Sequence, residues 1–544
     1  MRKRNIPVRS SLGVSLLLRD EHSAGKMNFL DLLDGAEYIA QQGNPDVAGL
    51  DYDSRRVKPG WCFVAMRGES TDGNRYLDAA LQAGAVAVVS DSLPPRDNVP
   101  WAQVQHGRRA LARLSANFFD RPAEKLLITG ITGTNGKTTT SFLLNAMLRA
   151  GERKSALVGT VEYRLEDEVY PAPHTTPEAL ELNEFLARAR AAGCTETVME
   201  VSSHALEQQR VYGVPFDVAI FTNLTRDHLD YHGTMEEYFA SKALLFQGLG
   251  TEPPRVAVIN VEDEYGKRLI QLYKKQREVS TYGIGSGDFH AKDVNLGRNG
   301  TRFNLVTPTG ELSIWTPLLG RVNIFNVIAA AAAAYARNVE PRAIAEAVCG
   351  LQRVAGRFER VDLGQPFTVI VDYAHTDDAL RNLTAVARGF LAQQGGSGRV
   401  ITVFGCGGDR DRNKRPLMGE AAGAGSDFVV LTSDNPRSEN PLDIMNDALP
   451  GVQRSGTRYT LEPDRRKAIA LAIGEAQAGD IVLIAGKGHE KTQVTRSGTV
   501  PFDDIEEARL ALQAAGYHPS ASAKTALDDP PSRMAEERPR KPCS

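Results

Sequence analysis

Three features that would narrow the class of protein at once are missing from this 544-residue sequence. Its five cysteines are scattered without close pairs, which argues against a disulfide framework or a zinc ribbon and is typical of a reducing compartment. No segment approaches the ~20 apolar residues that span a bilayer. The 64 basic and 67 acidic side chains give a net charge of −3, so neither nucleic acid nor a membrane surface is expected as a partner. We therefore expect a cytoplasmic protein.

Both ends of the chain are predicted to lie outside the fold. The segment M-N-F-L-D-L-L from Met27 is more typical of the N-terminus of a protein, so residues 1–26 are expected to be a disordered extension outside the fold. The apolar stretch at 12–18 is short and lacks a clear small-residue cleavage site, which argues against a signal peptide. Serine, proline and charged residues dominate from Pro519 onward, and residues 519–544 are predicted to be a disordered tail.

The length between these ends is too great for one hydrophobic core and predicts about three domains. Apolar runs of strand length alternate with helical patterns in three units, predicted at 27–122, 123–355 and 356–518. The first two units have predicted strands at 60–66, 85–89, 196–200, 218–221 and 256–259, and predicted helices at 76–83 and at the alanine run 329–334.

The third unit has continuous apolar strands, predicted at 367–371, 399–404, 428–432 and 480–484. Helical patterns separate them, which is typical of a doubly wound, largely parallel sheet. The sequence therefore predicts an α/β protein of three domains.

A glycine-rich stretch, G-I-T-G-T-N-G-K-T-T-T from Gly130, follows a predicted strand at 126–128 and precedes a helical stretch at 141–150. A strand, a tight turn and a helix N-terminus point several backbone N–H groups at one spot, where they bind phosphate. Lys137 supplies a cation for the outer phosphates and Thr138 a hydroxyl for Mg²⁺. Ile131 replaces the first glycine of the general pattern G-x-x-x-x-G-K-[ST]. The loop predicts nucleotide binding, but it does not separate a ligase from a kinase, a GTPase or a non-catalytic module.

Further motifs follow in order along the chain. They are M-E-V-S-S-H-A-L from Met199, T-N-L-T-R-D-H-L-D-Y-H from Thr222, Y-F-A-S-K-A-L-L-F from Tyr238, G-R-V-N-I-F-N from Gly320, G-R-F-E-R-V from Gly356, V-D-Y-A-H-T from Val371, F-G-C-G-G-D-R-D-R-N-K-R-P from Phe404, D-N-P-R-S-E from Asp434 and G-K-G-H-E from Gly486. With G-T-N-G-K-T-T, this series resembles the Mur ligase family from about Met27 to Gly516.

The resemblance implies an N-terminal domain for a UDP-sugar, a central P-loop ATPase-like domain and a C-terminal Rossmann-like domain for an amino acid. It implies an ATP-dependent acid–amino-acid ligase that acts as a monomer in peptidoglycan precursor synthesis. ATP would convert a carboxylate of UDP-N-acetylmuramoyl-L-alanyl-D-glutamate into an acyl phosphate. An amine of meso-2,6-diaminopimelate would then attack, and ADP and phosphate would be released.

The same resemblance implies the residues around ATP and the metal. The catalytic residues would be Lys137, His228 and Lys242. The nucleotide would be bound by Gly133, Thr134, Asn135, Gly136, Lys137, Thr138, Thr139, Asn326, Arg357, Asp372 and His375. Mg²⁺ would be held by Thr138, Glu200, His228 and Lys242. Lys242 is expected to be carbamylated (N6-carboxylysine), because a carbamate turns the cation into an anion able to ligate Mg²⁺.

The other two substrates have their own implied residues. The UDP-sugar peptide would contact Ser54, Glu69, Ser70, Thr71, Thr175, Thr176, Ser202, Gln208 and Arg210. Diaminopimelate would contact Arg410, Asp434, Asn435, Pro436, Arg437, Gly486 and Glu490. Arg437 can pair with the second carboxylate, which lysine lacks, and Glu490 suits a distal ammonium.

Three alternatives stay open at this point: a Mur ligase that adds L-lysine, a folylpolyglutamate synthase-like ligase and a non-catalytic nucleotide-binding module. The first domain argues against the second, because folylpolyglutamate synthases lack a domain for a UDP-sugar. The sequence departs from the family's usual pattern at His174, Val322, Ala355 and Asp377. His174 precedes Thr175, and it puts one substrate contact in doubt.

Overall fold

The computed structural model describes residues 26–68, 71–92, 99–275, 277–297, 300–393 and 395–518. The predicted disorder of both ends and two of the predicted substrate residues, Glu69 and Ser70, lie outside the described residues. Three large sheets with helices confirm the α/β class, one sheet within each predicted unit. The domain boundaries themselves stay predictions.

The first unit contains a five-stranded sheet in the order β2-β7-β6-β5-β4, parallel except for β2 at its edge. The strands are β1 Met27–Asn28, β2 Tyr38–Gln42, β3 Asp46–Val47, β4 Gly49–Asp51, β5 Trp61–Ala65, β6 Ala87–Ser90 and β7 Trp101–Val104. The helices are α1 Phe29–Leu32, α2 Leu77–Gln82 and α3 Gly107–Phe118, with 3-10 turns at Gly73–Tyr76 and Pro122–Lys125. β1 and β3 pair separately.

The central unit is built on an eleven-stranded sheet in the order β11-β10-β9-β12-β8-β13-β14-β15-β16-β17-β18. Its strands are β8 Leu127–Thr132, β9 Ser155–Val158, β10 Glu162–Leu165, β11 Glu168–Pro171, β12 Glu196–Glu200, β13 Phe216–Phe221, β14 Val256–Asn260, β15 Glu278–Gly283, β16 Phe289–Gly297, β17 Gly300–Thr307 and β18 Gly310–Thr316. Strands β9, β12, β8, β13, β14, β15 and β16 are parallel, and antiparallel strands extend both edges.

Helices cover both faces of this sheet. They are α4 Lys137–Ala150, α5 Ala179–Ala191, α6 Ser203–Glu207, α7 Leu229–His232, α8 Met235–Gln247, α9 Glu264–Tyr273, α10 Arg321–Ala336 and α11 Pro341–Gly350. The predicted helix at the alanine run is confirmed, because Ala329–Ala334 lie inside α10 and are fully buried. Their small side chains let α10 pack closely against α4 and the sheet.

The C-terminal unit confirms the predicted doubly wound sheet, in the order β19-β20-β24-β21-β22-β23 with only β19 antiparallel. The strands are β19 Glu359–Val361, β20 Thr368–Asp372, β21 Val400–Cys406, β22 Phe428–Ser433, β23 Arg458–Leu461 and β24 Ile481–Ala485, and β25 Thr492–Thr495 and β26 Gly498–Pro501 form a separate hairpin. The helices are α12 Asp377–Gln393, α13 Lys414–Gly425, α14 Pro441–Ser455, α15 Arg465–Glu475 and α16 Asp504–Ala514.

The motifs of the central and C-terminal units follow the carboxyl ends of parallel strands. The segments after β8, β12 and β13 hold the phosphate loop and the M-E-V-S-S and T-R-D-H motifs, and those after β20, β22 and β24 hold Y-A-H, D-N-P-R and G-K-G-H-E. Ligands of open α/β sheets bind at this edge. Among the helices of the described residues, none has the length and apolar character that a bilayer crossing requires.

Candidate active site

The phosphate loop joins β8 to α4 and requires glycine at two positions. The helix begins at Lys137, four residues before the predicted stretch at 141–150. Gly133 and Gly136 have φ of 146° and 88°. A Cβ on Gly133 would lie 1.9 Å from Oγ1 of Thr222, and one on Gly136 would lie 2.4 Å from Oδ1 of Asn326. Any side chain at either position would collide with a neighbour that is itself part of the site.

Two lysines donate to the same carbonyl of this loop. Lys137 Nζ donates to the carbonyls of Gly133 and Thr134, each at 2.9 Å, and Lys242 Nζ in α8 donates to Gly133 at 2.8 Å. Burial lowers the pKa of Lys137. Lys242 is only 2% exposed, and burial together with the charge of Lys137 holds its pKa well below the usual value. Lys242 therefore loses its proton more readily than an ordinary lysine.

A fully buried carboxylate, Glu200 at the end of β12, faces the start of α4. It accepts hydrogen bonds from Thr138 Oγ1 at 3.0 Å, from Thr160 Oγ1 at 2.9 Å and from the Thr160 backbone at 2.8 Å. Arg357 donates to Thr138 Oγ1 at 3.1 Å. A hydroxyl beside a carboxylate is an oxygen donor set that suits Mg²⁺. Over the described residues no three His, Cys, Asp or Glu side chains are grouped so as to hold a metal ion.

A second buried carboxylate, Asp227, joins the central and C-terminal units and was not predicted from the sequence. Its Oδ1 accepts from Lys414 Nζ of α13 at 3.2 Å, and its Oδ2 lies 3.3 Å from Nε2 of His228 and 3.8 Å from Nε2 of His375. Burial acts to raise the pKa of Asp227, but the Lys414 and histidine charges outweigh it and hold the pKa below its usual range. Burial lowers the pKa of His228 to about 3, so this ring is neutral at pH 7.

A cavity of about 350 Å³ lies between the two units above the phosphate loop. Its lining includes seven predicted nucleotide residues: Asn135, Gly136, Thr138, Thr139, Asn326, Arg357 and Asp372. The two oxygens of Asp372 accept from the backbone N–H groups of Phe358 at 2.7 Å and Ala374 at 2.8 Å, and burial raises its pKa. The lining also includes Asp378 of α12, missed by the sequence analysis, which accepts from Asn135 Nδ2 at 2.8 Å.

Not every predicted nucleotide residue lines that cavity. Thr134 donates to the Thr225 carbonyl at 3.1 Å, and its hydroxyl lies 3.3 Å from the Tyr238 hydroxyl. His375 bonds the Tyr373 carbonyl through Nδ1 at 2.8 Å and faces Asp227 instead. Thr134 therefore contacts the lining residue Thr225, whereas the partners of His375 lie outside the lining.

Five predicted substrate residues form one hydrogen-bonded patch beside Glu200. They are Thr175, Thr176, Ser202, Gln208 and Arg210. Thr176 Oγ1 donates to the Glu200 carbonyl at 2.9 Å and accepts from the Ser202 backbone at 3.1 Å, while Arg210 bonds the Thr176 carbonyl at 3.0 Å and Gln208 at 2.7 Å. Thr175 lies 3.1 Å from the Thr160 hydroxyl.

The remaining described residues of this predicted set lie on the first sheet. Ser54 and Thr71 occupy the loops that follow the parallel strands β4 and β5, at the carboxyl edge of that sheet. Arg56 of the same region reaches Glu181 of α5 at 3.2 Å, which ties the first unit to the central one. No contact joins Ser54 or Thr71 directly to the patch beside Glu200 within the hydrogen bonds of the described residues.

The predicted amino-acid residues form a second, charged pocket in the C-terminal unit. Asn435 donates to Glu490 at 2.9 Å, and Arg437 Nη1 bonds the carbonyls of Gly408 at 2.7 Å and Asn435 at 3.5 Å. Burial and then the charge of Arg410 lower the pKa of Arg437. A Cβ on Gly486 would lie 2.5 Å from Oδ2 of Asp434, so this glycine allows close packing.

The sequence analysis missed the group that holds this pocket's carboxylate. Lys487 is fully buried, and its Nζ donates to Glu490 at 3.0 Å and to Asn435 at 3.1 Å. Burial acts to raise the pKa of Glu490, but the Lys487 charge outweighs it and lowers the pKa. The lysine stood inside the quoted G-K-G-H-E motif, where a fully buried cation has no sequence signal of its own. The loop of Pro436 and Arg437 is fixed by the Val494 carbonyl of β25, which accepts from the Arg437 backbone at 3.0 Å.

Comparisons with known proteins decide the family. Three family models match: "Mur ligase family, catalytic domain" at residues 46–119, "Mur ligase middle domain" at 131–334 and "Mur ligase, glutamate ligase domain" at 356–488. A UDP-N-acetylmuramoyl-L-alanyl-D-glutamate–2,6-diaminopimelate ligase from Solibacter usitatus is 52% identical over 475 residues, 87% of this chain and 95% of that protein. The chain belongs to the Mur ligase family.

Solved structures agree with this family. The structure of a UDP-N-acetylmuramoyl-L-alanyl-D-glutamate–2,6-diaminopimelate ligase is 36% identical, with a TM-score of 0.63, and covers 91% of this Mur ligase and 100% of its own chain. The MurF ligase of Thermotoga maritima, solved in complex with ADP, is 18% identical with a TM-score of 0.57 and covers 86% of this chain and 97% of its own. The latter likeness concerns the fold alone.

Proposed function

We propose that this Mur ligase joins meso-2,6-diaminopimelate to UDP-N-acetylmuramoyl-L-alanyl-D-glutamate in peptidoglycan precursor synthesis. ATP is converted to ADP and phosphate through an acyl-phosphate intermediate. The observation that carries the proposal is the position of Arg437 and Glu490 in the loops after β22 and β24, at the same carboxyl edge as Asp372 of the nucleotide cavity. This edge and the phosphate loop together are called the cleft. The two relatives named for this reaction, at 52% and 36% identity over most of the chain, support it.

Different residues of the cleft bind ATP and stabilise the phosphoryl group during the first step, the formation of the acyl phosphate. Backbone N–H groups of the loop and the N-terminus of α4 bind the phosphates of ATP. Lys137, whose ammonium donates to two loop carbonyls, would pair with the outer phosphates, and Arg357 would approach them from the C-terminal unit. These fixed cations stabilise the charge that builds on the transferring phosphoryl oxygens. The carboxylate of the D-glutamyl group is activated in this way.

Mg²⁺ would be held by Thr138, Glu200, His228 and the carbamate of Lys242, and it would supply further positive charge to the phosphoryl group. The carbamate forms when the neutral Lys242 amine adds to CO₂, making an N–C bond and releasing one proton. Burial and the neighbouring Lys137 favour the neutral amine. The neutral His228 ring is able to donate its lone pair to a metal.

The acceptor is selected by the charged pocket. One amine of diaminopimelate attacks the acyl phosphate, while the distal carboxylate pairs with Arg437 and the distal ammonium with Glu490. The muramoyl peptide lies along the patch of Thr175, Thr176 and Arg210, and its uridine nucleotide on the loops of Ser54 and Thr71. The cytoplasmic location and the monomeric state stay predictions.

Phosphate release tests this proposal. We expect release only when ATP, the UDP-muramoyl dipeptide and diaminopimelate are all present, in a buffer containing Mg²⁺ and bicarbonate. Release that needs ATP and a folate substrate instead would favour a folylpolyglutamate synthase-like ligase. Absence of release with every combination of substrates would contradict the proposal and favour a non-catalytic module.

A further inference from the structure

Tyr373 lies between the nucleotide side and the acceptor side of the cleft. It stands in the motif V-D-Y-A-H-T, but no role in the proposed reaction has been assigned to it. It directly follows β20, and its side chain is partly buried. The ring centroid lies 4.6 Å from Cζ of Arg357, and the hydroxyl lies 3.5 Å from Oε1 of Glu490. One side chain therefore touches a group assigned to ATP and a group assigned to the acceptor.

On the nucleotide side, the ring faces a guanidinium that still has free donors. Arg357 donates to Thr138 Oγ1 through Nη2 at 3.1 Å, and its buried Nε has no hydrogen-bond partner within the described ranges. Stacking against an aromatic face holds a guanidinium by its plane and leaves its in-plane N–H groups for other partners. The Tyr373 ring thus contacts Arg357 without occupying the donors that a phosphate needs.

On the acceptor side, backbone contacts tie Tyr373 to the segment that carries Glu490. A Cβ on Gly488 would lie 2.8 Å from Cβ of Tyr373, and a Cβ on Gly356 would lie 2.1 Å from the backbone nitrogen of His489. The His489 ring packs 5.0 Å from the Tyr373 ring. Tyr373 is therefore in close contact with the two residues that precede Glu490.

We propose that Tyr373 is a positioning residue of the ligase reaction, whose ring holds Arg357 toward the transferring phosphate and whose hydroxyl supports Glu490 in the acceptor pocket. The inference rests on the proposed function and deepens it. According to this inference, the ring and the hydroxyl of Tyr373 affect different kinetic constants. The ring acts on the chemical step, and the hydroxyl acts on acceptor binding.

Two substitutions separate these effects in steady-state kinetics of the full chain. Tyr373→Leu removes ring and hydroxyl, and we expect kcat to fall about tenfold at saturating substrates. Tyr373→Phe keeps the ring, so kcat stays within about twofold while the KM for diaminopimelate rises about threefold or more. Tyr459→Leu in β23 of the same sheet, outside the cleft, is the matched control and is expected to change neither constant.

Other results would overturn the inference. An equal fall of kcat in the Phe and Leu variants would contradict the role of the ring, and an unchanged acceptor KM in the Phe variant would contradict the role of the hydroxyl. If circular dichroism shows that the Leu variant does not fold, the Phe variant decides the role of the hydroxyl, and Tyr373→Met replaces the Leu variant in the test of the ring. A wild-type chain without diaminopimelate-dependent phosphate release would contradict the proposed function instead, so the two failures are distinguishable.

Discussion

Replacing Lys242 with alanine separates a role in the reaction from a role in the fold. The side chain is 2% exposed, so the change deletes three buried methylenes and an amine. At ~0.8 kcal/mol per methylene, the lost burial costs about 2 kcal/mol. Part of this loss is offset, because a desolvated amine beside Lys137 is removed as well. We therefore expect a folded variant whose stability differs from the wild type by less than about 2 kcal/mol.

The expected effect on activity is much larger. If the Lys242 carbamate helps to hold Mg²⁺ at the transferring phosphoryl group, its loss removes a preorganised charge, and such losses cost on the order of 10²–10³ in kcat. Phosphate release with all three substrates is the assay, and thermal unfolding measures stability in parallel. Lys267→Ala on the exposed face of α9 is the matched control and should keep full activity.

The carbamate itself is visible by carbon NMR. With ¹³C-labelled bicarbonate, the wild type should show a carbamate resonance that the Lys242→Ala variant lacks, and wild-type activity should fall in buffer depleted of CO₂. A variant that retains activity within twofold of the wild type would refute the reasoning. A wild type whose activity is indifferent to CO₂ and that shows no resonance would refute the carbamate.

Three further predictions concern the loop, the interface between units and pH. Gly136→Ala should abolish ADP binding in a calorimetric titration, because its φ of 88° and a Cβ 2.4 Å from Asn326 Oδ1 distort the loop. Asp227→Asn should lower the free energy of unfolding by about 3 kcal/mol, since it leaves Lys414 buried without an anion, and the double variant with Lys414→Met should recover most of it. Burial lowers the pKa of His232 to about 4, below its unfolded value of ~6.5. The unfolded state then binds the extra proton, so stability is full above pH ~6.5 and falls toward pH 4, and His232→Asn should flatten that slope in chemical denaturation.

Much of the fold could be predicted because buried parallel strands are continuous apolar runs. The predicted strands at 196–200, 256–259 and 428–432 lie within β12, β14 and β22. The antiparallel strands β10, β11, β17 and β18, and β16 beside them, were not predicted, since many of their residues are at least partly exposed and mix polar with apolar side chains. The start of α4 was placed too late, because Thr138, Thr139 and Thr140 are weak helix formers whose preference the loop geometry overrides.

The site, like the fold, contains residues that the sequence predicted and residues that it did not. Lys242 and Glu200 stood in recognisable motifs, and both lie beside the phosphate loop. Asp227, Tyr373 and Lys487 stood in quoted motifs too, yet each contacts a residue far away in the sequence. These residues are Lys414, Glu490 and Asn435, respectively. Asp227 and Lys414 are 187 residues apart, and no local pattern predicts which cation a loop carboxylate will meet. Such contacts depend on how the central and C-terminal units pack against each other, and no local sequence pattern in either unit predicts that packing.

The choice of amino acid tests the central claim most directly. The kcat/KM of the wild type should be measured with meso-diaminopimelate and with L-lysine, in parallel with the Arg437→Ala variant. Since lysine leaves the guanidinium of Arg437 without its carboxylate, we predict a preference for diaminopimelate of roughly 100-fold or more, and its near loss in the variant. Equal or better turnover of lysine by the wild type would contradict the account.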